Sequence, residues 1–158
     1  MIQRIQTIYL LLVSVFYFLY WFFGLKWYEN GFKIIQDSLP NDFVINSPIL
    51  ELILILTSNI PIIIVITCLI SIFLYKSRNN QILVCNISIY LSLFMSVYTL
   101  IYFYFTLSEL VAIMPSNFLK ILLYAAIANP FICSYLLFLA AKAIKRDEEL
   151  IKSLDRIR

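Results

Sequence analysis

The chain has 158 residues, of which 63% are hydrophobic and 13% charged, with a net charge of +3 and a mean hydropathy of +0.93. A soluble domain carries about 25% charged and about 45–50% apolar residues, so a single water-facing core of this size is excluded and much of the apolar surface must meet lipid. Histidine is absent and glycine occurs twice, at Gly24 and Gly31. This excludes Ser-His-Asp and Cys-His nucleophile systems, histidine-ligated metals, a Gly-rich phosphate cradle and a GxxxG packing motif.

A membrane-spanning helix needs roughly 20 mostly apolar residues to cross about 30 Å of hydrocarbon. The first such stretch is 5–25, which follows the basic start MIQRIQT and ends in WFFGLKWY with no small-x-small cleavage site, and so reads as an uncleaved anchor. The loop 26–48 comes next and contains LKWYENGFKII. Its Asn30-Gly31 pair is the strongest short-range hairpin signal, because a type I′ turn needs φ > 0 at both central residues. A small β-hairpin is therefore predicted, with Trp27 beside Ile34 and Tyr28 beside Lys33. Trp27, Tyr28, Asn30 and Gly31 are candidate interaction residues; the competing reading is a cap on the bundle with its aromatics at the lipid–water boundary.

The second predicted span, 49–75, carries Glu51 two residues inside its outer end, Asn59, and Pro61. A pair between Glu51 and Lys120 is possible there as a bundle contact. The short basic turn KSRNNQ leads to the third span, 82–107, with Asn86 near its start and the aromatic run VYTLIYFYFTL near its outer end, a pattern expected of an interfacial belt. After a connection holding Glu109 and Pro115, the fourth span runs 119–141 and includes Asn129-Pro130. The tail 142–158, KAIKRDEELIKSLDRIR, continues without a breaker, and Ala143, Leu150, Leu154 and Ile157 recur near the helical period. Lys145–Glu149 and Glu148–Lys152 are i,i+4 pairs that suit an exposed helix. Arg146, Asp147, Glu148, Glu149, Asp155 and Arg156 are its candidate interaction residues, against a solvated extension that merely anchors topology. The expected fold is thus an all-α membrane protein: a single domain over 1–158, with four transmembrane helices, a β-hairpin in the first outer loop and a C-terminal cytoplasmic helix.

Charge fixes the expected orientation. With the N-terminus inside, the cytoplasmic segments hold nine cations against four carboxylates, a balance of +5. The outer segments hold three against five, a balance of −2. The positive-inside rule then places both termini in the cytoplasm. The basic character follows from this topology and calls for no nucleic-acid partner.

Ionisable residues deep in the spans, which mark functional sites by default, are nearly missing. The polar intramembrane candidates are Asn59, Asn86, Asn129 and Glu51. Asn59 and Asn129 lie beside prolines, so they either line a small polar cavity between kinked helices or make ordinary interhelical hydrogen bonds. Cys68, Cys85 and Cys133 lie inside apolar runs; no fourth ligand accompanies them, and they read as small hydrophobes. No catalytic residue, metal ligand or cofactor site is assigned. The expected function is a non-enzymatic subunit or assembly factor of a membrane complex, in contact with the bilayer and with a membrane-protein partner or a second copy. A small transporter or channel component is the alternative.

Three stretches together, the opening MIQRIQTIYLLL, the hinge LYKSRNNQ and the ending AAKAIKRDEELIKSLDRIR, resemble the four-span membrane family of Bacteroidota catalogued as domain of unknown function 4293. The resemblance covers the chain in order and spacing, and its two ends are the specific part. It implies a multi-pass bacterial inner-membrane protein and brings no activity or catalytic residue. Leu154, after Ser153, stands where relatives tend to have a smaller residue.

Overall fold

The computed structural model describes residues 3–38, 48–114 and 116–155; within these helices the side chains of 3–4, 25–28, 31–38, 48–51, 53–54, 56, 105, 113 and 151–155 are outside the description. Four long helices follow in order: α1 (Gln3–Ser38), α2 (Pro48–Phe73), α3 (Arg78–Ile113) and α4 (Asn117–Asp155), with a single 3-10 turn, Leu74–Lys76, between α2 and α3. Each contains a stretch long and apolar enough to cross a membrane: Ile5–Gly24, Thr57–Lys76, Arg78–Tyr104 and Asn117–Leu150.

Chain punctuation explains the breaks. The backbone N–H of Ser77 donates to Leu74 O at 3.0 Å, closing the 3-10 turn, and that of Gln81 donates to Ser77 O at 3.0 Å, opening α3. Helix α3 stops at Ile113 because Met114 precedes Pro115 and is driven to extended backbone, φ −74° and ψ 120°. Ser116 then caps α4: its Oγ accepts the Phe118 N–H at 3.2 Å, satisfying one of the donors orphaned at a helix start.

Helix α1 packs against α2 and α4, α3 packs against the same two helices, and the α1–α3 diagonal touches only lightly. This is an up-and-down bundle. Each helix buries one stripe at helical spacing, such as Leu10, Val13 and Tyr17 on α1, Ile60, Ile64 and Cys68 on α2, and Cys133, Leu137, Ala140 and Ile144 on α4. The remaining faces are also apolar. Phe73, Tyr90 and Tyr104 are 78%, 72% and 83% exposed, alongside Phe22, Phe118 and Ile121. A contiguous apolar exterior of this extent is incompatible with water and suits a lipid-facing surface, in keeping with a membrane protein.

The predicted β-hairpin is overturned. Helix α1 runs straight through Asn30-Gly31, no strand occurs among the described residues, and none of them has positive φ. The loop expected at 26–48 is therefore helical up to Ser38 and again from Pro48. Two effects outweigh the turn signal. A two-stranded hairpin is marginal by itself, whereas a growing helix gains one hydrogen bond per added residue and a glycine inside it costs only about 1 kcal/mol. The sequence also keeps the helical period, with Leu25, Tyr28, Phe32 and Ile35 at three- and four-residue steps, and no proline before Pro40. Span four and the tail are one 39-residue helix, as the unbroken pattern of the tail implied.

Candidate functional site

The interior of the bundle is lined with hydroxyls. On α3, Ser88, Ser92, Ser96, Thr99 and Thr106 are all buried, at steps that keep them on one face. Ser88 Oγ donates to Thr67 Oγ1 of α2 at 2.9 Å. Ser92 Oγ lies 2.7 Å from the Tyr17 hydroxyl of α1 and 2.8 Å from Ser134 Oγ of α4. Two turns further along α3, Tyr20 pairs with Thr99 at 3.4 Å, and Thr57 of α2 donates to the Tyr98 hydroxyl at 2.7 Å. A seam of hydrogen bonds thus ties all three other helices to α3, which is how a Gly-poor membrane bundle can gain cohesion that lipid-like apolar packing alone does not supply.

At the end of the bundle where α1 and α3 begin, the seam becomes charged. Asp147 of α4 is buried, as are Gln6 of α1, Ser71 of α2 and Gln81 of α3. Gln6 Nε2 donates to Asp147 Oδ2 at 3.3 Å, and Arg78 Nη1 stands 3.5 Å from the same oxygen. Gln81 Nε2 donates to Ser71 O at 3.0 Å. Asp147 turns inward because it continues the α4 stripe Leu137, Ala140, Ile144 by one further step of three. An inward carboxylate must be paired, and the first residue of α3 supplies the cation.

Beside this lock, α3 and α4 enclose an open groove of about 720 Å³. Ile89, Phe138 and Ala141 form its apolar half; Lys142, Lys145 and Arg146 form its cationic half, with Asn86 and Glu149 at the sides. A second groove, about 330 Å³ and almost wholly apolar, lies between α1 and α4 along Phe16, Tyr20, Ala125, Ala126 and Asn129.

The sequence candidates scatter across these features. Asn59 is exposed and its Nδ2 donates to Ile55 O of its own helix at 2.7 Å. Asn129 donates to Phe16 O of α1 at 3.1 Å, while its Oδ1 accepts from Cys133 Sγ at 3.4 Å. Asn86 lies in the cationic groove. The three therefore do not converge on one polar cavity. Arg146 and Glu149 are exposed on the groove, Glu148 is half-buried, and Asp147 is withdrawn from the surface. Asn30 is exposed on α1. Trp27, Tyr28, Gly31, Glu51 and Asp155 are placed on their helices with side chains outside the described set, which leaves the Glu51–Lys120 pair outside it too; Arg156 lies outside the described residues altogether. Cys68, Cys85 and Cys133 are buried free thiols, and among the described residues no group of three His, Cys, Asp or Glu could hold a metal ion. Residue-by-residue reading missed the hydroxyls, although Ser88, Ser92 and Ser96 at steps of four carry the signal. It missed the pairing of Arg78 with Asp147, which no local pattern announces.

The family described as Domain of unknown function (DUF4293) matches residues 2–157. The chain belongs to this family. No curated protein matches it, and no solved structure does. For this DUF4293 chain, the arrangement offers neighbours a charged end and two grooves, while the hydroxyls of Tyr17, Ser88, Ser92 and Ser134 are engaged with other side chains across helix interfaces.

Proposed function

We propose that the chain is a multi-pass protein of the bacterial inner membrane, in a Bacteroidota cell, with both termini in the cytoplasm. In this reading it is a non-enzymatic subunit or assembly factor that contacts another membrane protein or a second copy of itself. The observation that carries it is the length of α1. The helix has 36 residues, about 54 Å at about 1.5 Å per residue, while about 30 Å of hydrocarbon takes roughly 20 residues to cross. The helix therefore continues past its apolar stretch 5–25 to Ser38 as an arm beyond the bilayer core. A helical arm is a preformed contact element that loses little conformational entropy on docking.

The charge balance of +5 against −2 supports the orientation. In spheroplasts, a membrane-impermeant maleimide is expected to label Asn30→Cys directly and Lys145→Cys only after permeabilisation. The reverse pattern would overturn the orientation. For the subunit reading, a photo-crosslinking side chain at exposed position 30 is expected to give one adduct of discrete mass in native membranes, and the same group at lipid-facing position 90 is expected to give none. A protein that runs alone in mild detergent and forms no adduct from position 30 is not such a subunit.

A further inference from the structure

We propose that the groove between α3 and α4 is a binding site for an anionic phospholipid, with the headgroup phosphate held by Lys142, Lys145 and Arg146 and an acyl chain laid against Phe138 and Ile89. The groove is graded along one direction. Going down α4, its lining passes from Phe138 and Ala141 to Lys142, then to Lys145 and Arg146. The Cys85 Sγ to Leu137 O contact, at 3.9 Å, sets α3 beside α4 within the apolar half, next to Asn86 and Phe138. The Arg78–Asp147 pair fixes the two helices at the bottom of the cationic half. The groove is thus held open between two fixed points.

A free anion has no use for the apolar half, and an alkane has none for the cationic half. An anionic phospholipid, whose charge and chains are joined end to end, fits both. Three cations against the single carboxylate of Glu149 leave the lining at +2. The guanidinium of Arg146 can grip a phosphate through two parallel N–H bonds, and Asn86, one residue past Cys85 on α3, can donate to the ester region. Basic pockets between helices at the cytoplasmic side are a recurrent form of headgroup recognition, and the groove volume of about 720 Å³ falls within the usual range for ligand sites. The cytoplasmic placement of this end rests on the orientation proposed above; the binding itself does not.

The test is native mass spectrometry of the full chain in mild detergent, titrated with phosphatidylglycerol and with phosphatidylcholine of the same acyl chains. Phosphatidylglycerol is expected to bind roughly tenfold tighter or more. The triple variant Lys142→Gln, Lys145→Gln, Arg146→Gln is expected to lose that preference. The matched variant Lys26→Gln, Lys33→Gln, Lys120→Gln, which removes the same charge from the other end, is expected to keep it. Equal binding of the two lipids overturns the proposal. So does a preference that survives in the triple variant, or one lost equally in the matched variant, which would mark bulk charge alone. Full competition by millimolar inorganic phosphate would make the groove a free-anion site and also overturn it. Should the triple variant fail to fold, the exposed single change Lys145→Gln reads the same preference, expected to fall severalfold. Failure of the orientation or crosslinking tests leaves these detergent measurements unaffected, so the two readings fail separately.

Discussion

Replacing Arg78 by leucine is expected to cost about 3–5 kcal/mol of stability, the usual penalty for leaving a buried charge without its partner. Asp147 is 5% exposed, and its Oδ2 sits 3.5 Å from Arg78 Nη1. The amide of Gln6, at 3.3 Å from the same oxygen, donates a hydrogen bond but brings no charge. Arg78 is also the first residue of α3, where a cation opposes the helix dipole and an anion is favoured. A basic residue in that place gains little from its own helix, and its stabilising partner is the carboxylate across the interface. Removing both charges, in Arg78→Leu with Asp147→Leu, is expected to restore most of the loss, because two apolar side chains replace a pair whose desolvation was expensive. Thermal unfolding in a single detergent checks this: a double variant no more stable than Arg78→Leu would mean that the pair is not what holds this end together.

The same pair illustrates where a sequence stops being readable. The four membrane-length segments follow from local apolarity and length, and each falls on one long helix, although α1 runs past its predicted end at 25 to Ser38. The continuation of span four into the tail was legible for the same reason, since nothing between Ala141 and Asp155 breaks a helix. The inward turn of Asp147 was half legible: it stands three residues beyond Ile144 on the buried stripe, yet its charged neighbours Arg146, Glu148 and Glu149 make the segment look solvated throughout. Its partners Arg78 and Gln6 come from two other helices, and only the topology of the bundle brings them close. Asn30-Gly31 failed for the opposite reason. The turn signal there is local and strong, but it competes with a helix already propagating from Gln3, and propagation is cooperative. Of the asparagines, Asn129 makes an interhelical hydrogen bond, to Phe16 O of α1, while Asn59 spends its hydrogen bond on its own helix. The hydroxyls that join the helices are less conspicuous one at a time, and become a feature only when their spacing is followed along α3.

Ser92 is where that spacing matters most, and Ser92→Ala is expected to cost about 2 kcal/mol. More than one proton order fits these atoms, because Ser92 Oγ also reaches Pro130 O at 3.3 Å. In the order that uses the shortest contacts, Ser134 Oγ donates to Pro130 O at 2.8 Å and accepts from Ser92 at 2.8 Å, and Ser92 accepts from the Tyr17 hydroxyl at 2.7 Å. One small side chain therefore couples α1, α3 and α4 at a level where Tyr17 is wholly buried. Alanine leaves almost no cavity, so the loss reads out hydrogen bonding and not packing. A single interhelical hydrogen bond in a membrane averages only about 0.6 kcal/mol. The larger figure expected here comes from severing two bonds at once and leaving buried hydroxyls to find other partners, each at about 1 kcal/mol or more. A cycle with Tyr17→Phe separates the terms: the two changes together should cost about 1 kcal/mol less than the sum of each alone, because either one already breaks the shared bond. Strict additivity in thermal unfolding would show that Tyr17 and Ser92 are neighbours without being coupled, and the seam would then be a consequence of the packing and not one of its causes.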